Sequence, residues 1–142
     1  MPEVSAVRSS TASGRYATPP PFACSWRLGG RGAAWVQVAG ELDLATAQQF
    51  RQVLGEAQQA ARMVVLDLRE LAFIDSSGIH VILDAAHDAR QTGGRMLSVR
   101  GPVQVERILT LTEVCKQVSI FELAADEATS APPPLAPPQA AA

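Results

Sequence analysis

Two adjacent serines, Ser76 and Ser77, follow an aspartate and precede a glycine in Asp75-Ser76-Ser77-Gly78. An apolar run ends just before this tetrad and a helix-spaced pattern starts just after it. The hydroxyls therefore fall where the loop leaving a buried strand becomes a helix start. Two uses suit serine there. Its side chain can cap free backbone N–H groups, or its hydroxyl can carry an added phosphate beside the positive end of the helix dipoles. A phosphate brings about −1.5 to −2 charges at neutral pH and would be repelled by Asp75. Unsatisfied N–H groups can accommodate it without unfolding the helix, so a local switch of surface charge is expected rather than a large rearrangement. Gly78 either lets another protein's backbone approach this turn or is simply a tolerated small residue.

A rival chemistry comes from the spacing of Ser76, His80 and Asp84. Four-residue steps place them along one helix face, with the composition of a hydrolytic triad. Three side chains in a row on one helix do not readily meet a substrate together with an oxyanion hole, and no Gly-x-Ser-x-Gly elbow is present. An enzyme is therefore not expected. His87 reads as part of a polar face with Asp84 and Asp88. Two histidines and two isolated cysteines give no metal-ligand spacing, so no metal site is expected. No phosphate-cradling Gly-x-x-x-x-Gly-Lys motif occurs, and Gly29-Gly30-Arg31-Gly32 reads as a hairpin turn. No cofactor is expected either.

The elements that must position the serines follow from periodicity. Phe22 to Leu28 and Ala33 to Ala39 alternate as strands around the glycine turn and form a hairpin. Asp43 then stands ahead of a helix whose apolar positions are Ala47, Phe50, Val53, Leu54 and Ala57, placed to cap it. Met63 to Leu68 is a strand rich in branched residues. The next helix, capped by Asp75 or Ser76, buries Ile79, Ile82, Leu83, Ala86 and Ala89, and Gly93-Gly94 closes it with a left-handed cap. Arg95 to Val99 is a strand. Pro102 suits the first turn of a helix running to about Leu111, with Val105, Ile108 and Leu109 inward. Val118 to Phe121 is a last strand, and Glu122 to Ala128 a short helical turn. The order predicts an α/β fold, a mostly parallel sheet with an N-terminal hairpin, covered by helices.

At 142 residues the chain supports one domain. Residues 1–21 and 129–142, rich in Pro, Ala, Ser and Gly, read as disordered tails around a domain at 22–128. A formal net charge of −2 and one lysine, Lys116, leave no basic field for nucleic acid or an anionic membrane. No apolar run is long enough for membrane insertion. Cys24 and Cys115, with no secretory pattern ahead of them, are expected as two buried free thiols in a cytoplasmic protein.

Three separated signatures in register, Gly40-Glu41-Leu42-Asp43, Asp75-Ser76-Ser77-Gly78 and Gly93-Gly94, resemble the STAS domain of bacterial anti-sigma factor antagonists. The resemblance covers roughly Phe22 to Ala125. It implies a partner-switching regulator of transcription in stress responses, without enzymatic activity of its own. Ser76 would be the residue phosphorylated by a partner that is both a serine kinase and an anti-sigma factor. Asp43 would lie near it in space. The unmodified form would bind the kinase and free a sigma factor, phosphorylation would release it, and a metal-dependent serine phosphatase would reset it. The expected docking surface is Asp43, Asp75, Ser76, Ser77, Gly78, Ile79 and His80. His80 departs from the family pattern, which has a small residue there, and an imidazole one turn from Ser76 is expected to tune partner choice or pH response. The alternative is a non-switching scaffold subunit of a lipid-transport or sensory complex.

Overall fold

A computed structural model describes residues 21–121, and within them the chain forms a five-stranded sheet whose spatial order follows the sequence, β1-β2-β3-β4-β5. Strand β1 (Ala23–Leu28) pairs antiparallel with β2 (Ala34–Leu42) across a tight turn at Gly30–Gly32, giving the expected hairpin. Strands β3 (Met63–Ile74), β4 (Arg95–Val99) and β5 (Ser119–Phe121) add on in parallel. Parallel neighbours need crossovers. These are α1 (Ala47–Ala60), α2 (Ser76–Gln91), and α3 (Val103–Thr110) with the short α4 (Val114–Gln117).

The main core lies between one face of the sheet and these helices. Phe50, Leu54 and Ala57 of α1, Ile79, Ile82 and Ala86 of α2, and Val105 and Leu109 of α3 meet Val36, Val38, Leu42, Leu66, Leu68, Leu71 and Ile74. Val53, Leu83 and Ile108, read as inward, are half-buried at its edge. A smaller apolar cluster of Ala33, Trp35, Val65 and Val99 occupies the opposite face of the sheet. Truncating a side chain as central as Phe50 removes roughly 3–5 kcal/mol of stability.

The largest departure from the expected elements is in the two central strands. β2 runs on to Leu42 rather than ending at Ala39, and β3 runs on to Ile74 rather than ending at Leu68. The pairing of Gln37 with Asp67 gives way to Ala39 with Glu70, and Gly40 with Leu71 gives way to Glu41 with Phe73. Each shift inserts one extra residue into β3, a β-bulge that resets which side chain faces the core. Leu68, Leu71 and Ile74 are thereby all buried at three-residue spacing. Along the sequence alone, that spacing breaks the two-residue alternation of a strand.

Smaller corrections concern ends and thiols. Pro102 is the residue before α3 and not within its first turn, whereas the helix ends where expected, at Thr110 with Leu111 as its C-cap. Gly93, with φ of 79°, supplies the expected left-handed close of α2. Both cysteines are free, but only Cys24 is sheltered, and its burial pushes the thiol up to about 12. Cys115 is exposed, because Val114 takes the inward position on α4 and its successor is turned outward. Apart from Pro21, the two predicted tails lie outside the described residues, as does the terminal turn at 122–128. Among the described residues no helix is long and apolar enough to cross a membrane.

Candidate functional site

The site is built by strand register. Leu42 and Ile74 are partners at the ends of β2 and β3, both fully buried, so Asp43 and Asp75 leave the sheet side by side. The Asp75 backbone N–H donates to the Leu42 carbonyl at 3.1 Å and ties the two exits together. Thirty-two positions apart in sequence, the two aspartates thus follow neighbouring positions at the carboxyl ends of adjacent parallel strands.

Each carboxylate also holds a turn. Asp75 is the N-cap of α2, its Oδ1 accepting from Ser77 N–H at 2.8 Å and Gly78 N–H at 3.4 Å. Asp43 Oδ1 accepts from Ala45 N–H at 3.0 Å and Thr46 N–H at 3.2 Å. It therefore caps the turn leading into α1, and the helix itself begins at Ala47. The Thr46 hydroxyl closes that turn from the other side, donating to the Glu41 carbonyl at 2.9 Å and accepting from Asp43 N–H at 3.0 Å.

Asp75 is thus the cap, which leaves Ser76 as the first helical residue, exposed, with Ser77 half-buried behind it. The helix turns about 100° per residue, so Gly78 and Ile79 point toward the sheet. Both are buried, and they lie beneath the expected docking surface rather than on it. A Cβ on Gly78 would stand 2.6 Å from Leu42 Cγ and 3.0 Å from Ile74 Cγ1. The glycine is required by packing against the ends of β2 and β3, which neither sequence reading of it anticipated. His80 returns to the surface, one turn beyond Ser76.

Asp84 is exposed and pairs with Arg51 of α1 at 3.1 Å, so it faces the neighbouring helix. No group of three or more His, Cys, Asp or Glu side chains that could hold a metal ion occurs among the described residues.

Two residues of this rim escaped the sequence reading. Leu44, directly after Asp43, is 80% exposed, and Phe73, directly before Ile74, is 43% exposed. Leu44 lies off the helical stripe that begins at Ala47, which was the available signal. Phe73 fell in a segment not read as strand, so its outward direction was not legible.

Residues 30–128 match the STAS domain family. The chain belongs to that family. A curated relative, the anti-sigma F factor antagonist of Paenibacillus polymyxa, is 35% identical over 94 residues, spanning 65% of this chain and 80% of the relative. An anti-sigma factor antagonist from Mycobacterium paratuberculosis has a similar structure, with a TM-score of 0.67 at 22% identity over 80% of this chain and 97% of that one. The phosphorylated form of the Bacillus cell fate determinant SpoIIAA superposes with a TM-score of 0.58 at 20% identity, covering 75% and 96% of the two chains. At such identities these structures establish the shared STAS fold.

Proposed function

We propose that this STAS domain is an anti-sigma factor antagonist working as a phosphorylatable binding switch, with Ser76 as the acceptor. The observation that supports the reading is the register of Leu42 with Ile74, which sets the strand exits carrying Asp43 and Asp75 side by side, with Ser76 exposed at the first position of the helix that follows. The name of the Paenibacillus relative supports the role. The partner is an anti-sigma factor that is also a serine kinase and brings its own ATP and magnesium. This chain supplies only the hydroxyl. The Ser76 oxygen forms a bond to the γ-phosphorus, the bond to the bridging oxygen breaks, ADP leaves, and the hydroxyl proton passes to solvent or to a base of the kinase.

The unmodified surface of Asp43, Asp75, Ser76, Ser77 and His80 docks the kinase and frees the sigma factor. Phosphorylation places a dianion beside two carboxylates already committed to capping. The N–H groups of the first turn of α2 tolerate it, so the fold persists while docking is lost. A serine phosphatase restores the binding form. Incubation with the purified kinase and ATP, read by mass spectrometry, is expected to place one phosphate on Ser76 and none on Ser76→Ala. Modification elsewhere overturns the assignment. Kinase binding that survives Ser76→Asp at full strength favours a non-switching scaffold instead.

A further inference from the structure

The strand exits that lead to Asp43 and Asp75 carry two large apolar side chains open to solvent. Leu42 is fully buried, yet Leu44 two residues later is 80% exposed. Phe73 is 43% exposed although its successor Ile74 is buried, and it pairs in register with Glu41, at the end of β2 that leads into the Leu44 turn. A lone exposed leucine is ordinary. Leu44 follows and Phe73 precedes the paired Leu42 and Ile74, so both stand at the same end of the sheet as the exposed Ser76 and are taken together as one patch.

Leu44 is also held in place. It sits in the turn clamped by Asp43 Oδ1 to Ala45 and Thr46 N–H, and by the Thr46 hydroxyl to the Glu41 carbonyl. Seating this turn in a partner therefore freezes little backbone, which is how a preorganised anchor gains affinity.

The charge around the patch identifies what fits it. Glu41, Asp43, Glu70 and Asp75 are the charged residues of segments 41–50 and 70–80, and neither segment contains a lysine or arginine. The adjoining Arg51 is engaged by Asp84, and Arg69 is clamped to Asp67.

Resting on the switch reading above, we propose that Leu44 and Phe73 are the apolar anchors of docking, received by an apolar pocket on the kinase whose rim carries arginine or lysine. The two parts of this interface contribute unequally. A solvent-exposed rim ion pair is worth at most roughly fivefold in affinity. Each buried anchor is worth roughly tenfold or more. A phosphate on Ser76 stands the patch off the pocket wall. It gains a rim attraction and loses both anchors, so release is the net result.

The test measures calorimetric affinity of the purified anti-sigma factor kinase for the whole chain and for Leu44→Ala, Leu44→Asp and Phe73→Ala, each shown by thermal melting to be folded. Leu44→Ala and Phe73→Ala are expected to weaken binding by roughly tenfold, and Leu44→Asp by about a hundredfold. Wild-type affinity is expected to fall less than about tenfold between 0.05 and 0.5 M salt. Variants within twofold of wild type, with a salt dependence above a hundredfold, overturn the anchors and leave the switch standing. A wild-type chain that sediments as a dimer and becomes monomeric with Leu44→Asp assigns the patch to a second copy and overturns the proposal. A kinase that binds no form of the chain removes the switch reading, and the anchors with it.

Discussion

Strand β3 carries two aspartates whose surroundings are opposite. Asp67, in its middle, is 3% exposed and is gripped by Arg69, whose Nε donates to both carboxylate oxygens at 2.9 and 3.1 Å and whose Nη2 donates to Oδ2 at 2.6 Å. The hydrogen bond to Asp67 in turn raises the guanidinium's pKa. Asp75, just past the strand's end, is half-buried and, among the described residues, accepts from the backbone N–H groups of Ser77 and Gly78, with no lysine or arginine in segment 70–80. A carboxylate that must be buried within the sheet needs a counter-charge. One at a strand exit can be satisfied by a helix start and keep its charge. The first kind fixes the fold, and the second leaves an open carboxylate next to the exposed Ser76.

Removing the clamp should separate the two roles most sharply. Asp67→Ala removes the buried carboxylate that Arg69 grips through three side-chain hydrogen bonds and is expected to cost about 2–3 kcal/mol of stability in urea unfolding. The folded fraction should still accept phosphate at Ser76 at the wild-type rate. A loss below about 0.5 kcal/mol would remove the distinction. At the strand exit the expected cost is smaller. Asp75→Ala gives up the cap for about 1 kcal/mol, whereas Asp75→Asn keeps a capping oxygen and should lose only a few tenths. Equal losses for both variants would mean that charge, not hydrogen bonding, holds the turn.

The two thiols repeat the contrast between closed and open groups, with a still smaller effect. Cys115 should react with a disulfide reagent at pH 8 in the native protein, and Cys24 only after unfolding. Burial raises the Cys24 thiol from its ordinary 9.0 to about 12. As pH climbs past 9 the unfolded chain loses this proton first, so the native state binds more protons and stability falls between pH 9 and 12. Cys24→Ala should flatten that decline. An unchanged slope would assign it to other groups.

Much of this was legible without coordinates because the relevant signals are local. The hairpin, the strand at Arg95–Val99, the apolar stripe of α2 and its close at Gly93 all follow from alternation, helical spacing and a glycine with positive φ. The reading failed where one strand's geometry depends on another. The bulges of β3 exist only relative to β2, so the continuation through Leu71 to Ile74, and with it the outward Phe73, could not be read from spacing. Gly78 failed for the same reason. The clash that forbids a side chain there is with Leu42 on a different element.

The amino-acid sequence by itself determined the tetrad Asp75-Ser76-Ser77-Gly78, its place between a strand and a helix, and the α/β order of elements, since each depends on neighbours within a few residues. Only the tertiary structure decided that the exits carrying Asp43 and Asp75 lie side by side, that Gly78 and Ile79 are buried beneath the surface, and that Leu44 and Phe73 are exposed. Those facts depend on the parallel register of β2 and β3. Register is set by which face of each strand the whole core buries, a property that no single segment carries.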